Sequence, residues 1–441
     1  MAESITHDLA NCPHRVAEDF FRREGARLVA TLTAHLGTHR LQLAEDAVQE
    51  ALVRALQVWP YRGIPENPAA WLTRTAKNCA LDVLRREQRW TEKVEAVALA
   101  AEPPPAPDEA SAPPGPDDEI LRLLFVCFHP QLSAEAQLAL ALRTVCGLSA
   151  AEIAAAFLVS EAAISKRLVR ARQRIRELEL PFAVPDDSEL SDRLDGVLRA
   201  LYLLFNEGYK ASSGPSLVRA DLCTEAVRLA SLLCTHPATT APRTHALHAL
   251  LCLTAARLPA RTDAAGRLLR LHEQDRSSWD QSLLVRGLTS LAQSATGDAI
   301  SPWHLEAGIA AAHSVAENDA TTDWTRILGL YDQLLLLQPS PVAAMNRAVA
   351  VARVHGPAAG RAALAAIRDR SALDQYHLYH VVHASLAADC GDTPQAIRSL
   401  RIAHSLAPLA AEREVIELRL HQLSAPGPSN DSDASDPAAM E

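Results

Sequence analysis

The stretch Leu148 to Arg176, LSAAEIAAAFLVSEAAISKRLVRARQRIR, decides the fold. Ser149 sits as an N-cap with Glu152 three residues on, the pairing of a capping box, and the run it opens ends at Phe157. The tripeptide Leu158-Val159-Ser160 then turns tightly into a second helical pattern, in which Ala163, Ile164, Leu168, Ala171 and Ile175 recur on one side. The other side is basic: Lys166, Arg167, Arg170, Arg172, Arg174 and Arg176 face a single acid, Glu161, a local charge of +5 in a chain of net charge −10. A second helix packed across a first by a short turn can enter the major groove, its early residues reaching base edges and its later cations reaching phosphates. A charged, solvated helix in a bundle is the alternative reading of the same charges.

Working outward, helices are signalled at Glu119 to Phe128 and Ser133 to Cys146, the second capped by Ser133 with Glu135 near it and ended by Gly147. Upstream, EPPPAPDEASAPPGPDD (Glu102 to Asp118) excludes helix and buries too little to order itself, so it reads as a semi-extended tether. Downstream, LPFAVPDDS (Leu180 to Ser188) stops the basic helix with two prolines and offers Asp-Asp-Ser as the next cap. The expected segments are 12–95, a linker 96–118, 119–180, 188–423, and a tail 424–441 without apolar periodicity that reads as disordered.

Composition supports an all-α class: hydrophobic residues make up 48%, Ala and Leu foremost, and aromatics only 4%. The net charge argues against a protein coated in nucleic acid, so the local basic stripe matters more than the total. Eight cysteines without a CxxC pair read as free thiols in a reducing cytosol. No apolar run approaches the roughly 18 to 20 residues that span a bilayer, and the first residues lack a signal-peptide pattern, so a cytoplasmic protein without membrane association is expected. Without a phosphate loop, metal-ligand spacing or a nucleophile motif, neither an enzyme nor a cofactor or metal is expected. Glu207 with Asp275 or Asp280 imitates a carboxylate pair, and His377, His380 and His383 share a helix face that reads as packing or as a metal triad.

Nearer the N-terminus, AEDAVQEALVRALQVW (Ala44 to Trp59) places Val48, Ala51, Leu52, Ala55 and Trp59 at helical spacing, with Glu45, Gln49, Arg54 and Gln57 outside. After a punctuated Tyr61 to Pro68 comes AAWLTRTAKNCALDVLRRE (Ala69 to Glu87). There Trp71, Leu72, Thr75, Ala76, Cys79, Leu81 and Leu84 form the expected core stripe, leaving Arg74, Lys77, Asn78, Arg85 and Arg86 outside. Periodicity alone makes that face a solvated one or a phosphate-binding one.

These two helices resemble regions two-point-two through two-point-four of extracytoplasmic-function (ECF) RNA polymerase sigma factors of the sigma-70 family, and Ala163 to Arg172 resembles the recognition helix of their region four. The resemblance implies a sigma factor directing promoter-specific initiation, with core RNA polymerase and promoter DNA as partners. It implies polymerase contacts at Asp46, Gln49 and Glu50. It gives Asn78 a flipped base of the minus-ten element, with Trp71 against the unstacked strand or in the core, and Arg74, Lys77, Arg85 and Arg86 on phosphates. It gives Ser165, Lys166 and Val169 the minus-thirty-five element, with Arg167 and Arg170 on phosphates; Ser165 and Lys166 depart from the residues commonest there, so the promoter consensus does not follow. The rival reading is a helix-turn-helix regulator or helical scaffold that does not bind polymerase.

Such sigma factors usually stop after region four, yet more than half of this chain remains. Tyr376 to Asp389 and Thr393 to Leu406, joined by Gly391-Asp392 and followed by Pro408, read as a helical pair of repeat type. Ala384, Ala396 and Ala403 lie at its close approaches, and Ala348, Gly360 and Leu364 form a weaker echo. LFNEGYKASSG (Leu204 to Gly214), EQDRSSWD (Glu273 to Asp280), TDW (Thr322 to Trp324) and PSPVAAMNRAVA (Pro339 to Ala350) together resemble the sigma group with a C-terminal tetratricopeptide-like extension. Asn206, Glu207, Tyr209, Asp275, Arg276, Trp279, Asp280, Asp323, Trp324 and Asn346 form either an internal polar network or a binding surface for a protein partner.

Overall fold

The computed structural model describes residues 13–95, 116–157, 159–209, 218–263, 267–368 and 370–424. Most of the Pro-rich linker, Leu158 of the tight turn, the end of LFNEGYKASSG and the tail from residue 425 lie outside the described residues. The described residues are helical throughout, with short 3-10 turns and one isolated bridge between Thr262 and Leu268, so the all-α expectation holds. The chain forms two compact units, Met1–Leu251 and Cys252–Glu441.

In the first unit, α1 (Pro13–Leu36), α2 (Leu41–Arg62) and α3 (Pro68–Glu95) pack on one another. On α2 the buried positions are Leu41, Ala44, Ala47, Val48, Ala51, Ala55 and Trp59, mostly alanines, which lets neighbouring helices approach closely. On α3 the inward residues are Leu72, Ala76, Cys79 and Ala80. Leu81, expected in that stripe, is 45% exposed. At about 100° per residue it lies one step round from Ala80, on the outer face with Asn78 and Arg85.

The centre of this unit is α4 (Pro116–Cys127), which opens on a proline at its first position and packs against α1, α5 (Ala134–Thr144) and α8 (Asp187–Tyr209). Ile120, Leu121, Leu123, Leu124, Phe125, Val126 and Cys127 are all buried, so most of the helix surface is enclosed, with Arg122 half-buried among them. Gly147, in the left-handed region at φ 70°, turns the chain out of α5 into α6 (Ala150–Phe157), and α7 (Glu161–Leu178) follows.

The chain does not leave this core at the proline break after Leu180. Helix α8 returns across α4 and α5: Arg193 donates to the Phe125 carbonyl and lies over the Phe125 ring at 5.7 Å. Gly196 meets Phe128 so closely that a Cβ would stand 2.6 Å from the ring. Helix α9 (Ala220–Thr235) packs on α8, and α10 (Pro242–Ala255) is tied to it through Arg243 and Asp195 at 2.7 Å.

In the second unit, α11 (Gln281–Ser294), α12 (Pro302–Val315), α13 (Trp324–Leu337), α14 (Pro341–His355) and α15 (Pro357–Ala365) each pack on the next, as do α17 (His377–Asp389), α18 (Thr393–Leu406) and α19 (Ala410–Ser424) beyond the short α16 (Ser371–Asp374). This neighbour-to-neighbour packing is the form of a helical solenoid. In the pair α17 and α18, Ala384, Ala387, Ala396, Leu400 and Ala403 share one cluster, and Gly391 at φ 81° makes the turn. The echo reads true at Gly360 of α15, whose missing Cβ would stand 2.4 Å from that of Ala352 on α14 and 2.9 Å from the Ala348 carbonyl oxygen.

Candidate promoter and polymerase interface

The helix-turn-helix is built from its caps. At α6 the Ser149 amide donates to Glu152 Oε2 at 2.6 Å while the Glu152 amide donates to Ser149 Oγ at 3.2 Å, so two otherwise orphaned donors are satisfied reciprocally. At α7 Ser160 Oγ accepts from the Ala163 amide at 3.3 Å, and Ile164, Leu168, Ala171 and Ile175 are buried beneath the helix. Ser165, Lys166, Val169 and Arg170 are exposed, Val169 by 63%, and Arg167 is half-buried.

Arg172 departs from the sequence reading. It does not join the basic outer face; its Nε donates to Glu45 Oε2 at 2.7 Å, with the two side chains 16% and 12% exposed. The other oxygen of Glu45 accepts from Thr144 Oγ1 at 2.6 Å. One carboxylate of α2 therefore holds both α5 and α7. Glu45, expected on the outer face, is a residue that the sequence reading missed, and with the partners 127 positions apart no local pattern signals it.

Beside this pair lies a cavity of about 460 Å³, lined from α2 by Asp46, Gln49, Glu50 and Val53 and from α7 by Ser165, Leu168, Val169 and Arg172. The residues expected to contact polymerase and those expected to read the minus-thirty-five element thus face one another. Helix α2 therefore stands beside the exposed face of α7.

On α3, Arg74, Lys77, Asn78, Arg85 and Arg86 are all exposed, and positions 74, 78, 81 and 85 follow one face with Leu81 among them. Trp71 is half-buried, its ring edge-on to Trp59 at 5.6 Å, so it belongs to the core on one side and is open on the other. Tyr61, at the end of α2, is 90% exposed and presents a free ring. A second cavity of about 430 Å³ between α2 and α3 is lined by Asp46, Glu50, Arg54, Cys79, Asp82 and Arg86. Arg54 pairs with Glu50 at 2.9 Å, and burial pushes the Cys79 thiol up.

The motif residues of the extension lie partly in each unit. In the first, Asn206 is exposed, Glu207 is buried, and Tyr209 stacks on Phe205 at 5.9 Å. In the second, three acids cap turns and helices. Asp275 accepts from the Ser277 amide, and its carboxyl is held below the usual range by the Ser277 hydroxyl and amide. Asp280 accepts from the Ser282 and Leu283 amides at the start of α11, and the Ser282 hydroxyl and these amides depress it likewise. Asp323 accepts from the Arg326 amide at the start of α13. Arg276 donates to the carbonyls of His313 and Ala316 and lies 5.1 Å over Trp279, which is buried among Leu253, Ala256, Ala260, Leu284 and Ala311. Trp324 meets His313 edge-on at 5.2 Å under the Arg353 guanidinium, and burial with Arg257 and Arg276 nearby pushes His313 down to about 4. Asn346 bonds the Tyr331 hydroxyl.

The three histidines of α17 take separate partners: His377 stands 3.3 Å from Glu412, His380 bonds the Asp374 carbonyl, and His383 bonds Ser399. Among the described residues no cluster has the makeup of a metal site, and no helix is long and apolar enough to cross a membrane. None of the seven described cysteines is joined to another in a disulfide.

A three-helix segment with an exposed basic stripe, followed by a helix-turn-helix with an exposed basic second helix, has the architecture of a two-part helical DNA-binding protein. Residues 20–90 match sigma-70 region 2, residues 122–175 match sigma-70 region 4, and residues 193–295 match a family of unknown function, DUF6596. The chain is 42% identical over 388 residues to an uncharacterised protein of Rhizobium meliloti (strain 1021), covering 87% of this chain and 91% of that one. It is 29% identical over 210 residues to the ECF RNA polymerase sigma factor SigG of Mycobacterium tuberculosis (strains CDC 1551 / Oshkosh and ATCC 25618 / H37Rv), covering 43% of this chain and 55% of SigG. No solved structure matches. The chain belongs to the ECF sigma factors of the sigma-70 family, in a form with a C-terminal extension.

Proposed function

We propose that this sigma factor directs promoter-specific initiation in the cytoplasm, with residues 12–95 taking core polymerase and the minus-ten element and residues 119–180 taking the minus-thirty-five element. Asp46, Gln49 and Glu50 form the polymerase contact on α2. Asn78 takes an unstacked base with Trp71 beside it, and Arg74, Lys77, Arg85 and Arg86 follow the strand. Ser165, Lys166 and Val169 read the duplex while Arg167 and Arg170 hold its backbone. The observation that carries this reading is the common exposure of the α3 stripe and of the α7 reading positions behind matched regions 2 and 4.

Within the second unit of the extension, the capping acids and the buried Trp279 hold helix packing, and regulation acts through a protein partner of the solenoid. A cavity of about 550 Å³ lined by Arg267, Arg270, Glu273, Val381, Glu414 and Arg419 is a place for such a partner. Runoff transcription with purified core polymerase tests the function. The expected result is transcript from a subset of genomic promoters that falls when Gln49 and Glu50 are replaced; no stimulation on any template would refute it.

A further inference from the structure

Arg219 is the N-cap residue of α9, in the part of the extension that belongs to the first unit. Its position is set by the backbone. The Arg219 amide donates to the Gly208 carbonyl at 2.8 Å, and a Cβ on Gly208 would stand 2.9 Å from the Arg219 carbonyl oxygen and 2.8 Å from the Cys223 nitrogen. Only a residue without a side chain lets the end of α8 sit this close to the start of α9. Gly208 stands in the motif LFNEGYKASSG, which neither polymerase nor promoter contact explains.

From that junction the Arg219 guanidinium reaches Glu152 Oε1 on α6, the first helix of the helix-turn-helix, with Asp221 at 3.6 Å as a second acid. The other oxygen of Glu152 receives the Ser149 amide. One carboxylate thus joins the cap of the helix-turn-helix to the extension, with the Arg219 and Glu152 side chains only 16% and 25% exposed. Charge-assisted bonds to one planar carboxylate are directional, so a shift of Arg219 is felt at Ser149.

We propose that Arg219 is a positioning residue for minus-thirty-five recognition: through Glu152 the first helices of the extension set how α6, and α7 packed on it, are presented to duplex DNA. The proposal rests on the functional reading above for its DNA readout. The start of DUF6596 is then a brace for region 4.

The test uses the full chain with core polymerase. Binding is measured to promoters carrying or lacking the minus-thirty-five element and to a template pre-melted at the minus-ten element, alongside hydrogen exchange at the Ser149 amide. For Arg219→Gln the expected result is about a tenfold loss of the gain that the minus-thirty-five element confers, equal to ~1.4 kcal/mol. Core binding and the pre-melted template stay unchanged, and Ser149 exchanges faster. Arg219→Lys, which keeps the charge, recovers part of both effects. A wild-type minus-thirty-five gain in Arg219→Gln, or an equal loss on all three templates with no change at Ser149, would overturn the proposal. If the unaltered protein draws no gain from the minus-thirty-five element, the functional reading fails. Ser149 exchange then decides the brace alone: unchanged exchange in Arg219→Gln overturns it, and faster exchange supports it.

Discussion

Replacing Glu45 by alanine removes the one carboxylate that holds α5 and α7 to α2. Thr144 loses an acceptor at 2.6 Å and Arg172 loses its partner at 2.7 Å. Breaking a fully buried ion pair costs about 3–5 kcal/mol and a surface pair about 0–1. With Glu45 12% exposed and Arg172 16% exposed, about 2 kcal/mol is the appropriate middle value. That shifts the balance between packed and separated arrangements of α2 and α7 about thirtyfold toward separation. Two measurements read it: the radius of gyration of the free chain by small-angle scattering, and its affinity for a duplex minus-thirty-five element without polymerase. The expected result is expansion with tighter duplex binding, and Glu45→Gln, which keeps the Thr144 bond, falls between. A lower melting temperature with unchanged size and unchanged affinity would refute the reasoning, because the pair would then support the fold without controlling access to α7.

Lys166→Ala should relax discrimination at one base pair by about 1–3 kcal/mol, while Arg170→Ala should weaken binding to all sequences alike; titrations on promoter variants separate the two. Trp279→Ala empties the centre of its apolar cluster and should destabilise the second unit by about 3–5 kcal/mol in denaturant unfolding. Asp280 is held below the usual carboxylate range in the folded chain, so its contribution is present above the unfolded pKa and is lost as pH falls through the lower folded value. Asp280→Asn should flatten the acid side of a melting-temperature profile near pH 4 and below. A chain ended after Leu180 loses α8 from over Phe125 and Phe128 and should aggregate or melt early, so its loss of transcription reports region 4 folding before any regulatory role.

Much of this molecule is legible locally. The serine caps, Gly147, the apolar side of α7 and the exposed stripe of α3 all depend on residues within one or two turns of each other, where periodicity and capping operate. Leu81 misled because the buried arc of α3 is narrower than its run of apolar residues. Glu45 and Arg172, or Glu152 and Arg219, carry no local signature, because a charged residue on a helix looks solvated until the tertiary fold supplies its partner. The motif acids of the extension read equally as a network or as a surface. Their role as caps appears only once Asp275, Asp280 and Asp323 are seen at the first turns that they open.

The return of α8 across Phe125 and Phe128 changes what counts as an exchangeable part. To give another sigma factor this protein's duplex preference, a graft of α4 to α7 alone would carry the hydrophobic face at Phe125 and Phe128 uncovered into its new host. The transferable cassette runs from α4 through α9, with Gly208 and Arg219 included, so a promoter-engineering swap here has to move the opening helices of the extension together with the α4 and α5 that they cover and the helix-turn-helix that Arg219 reaches.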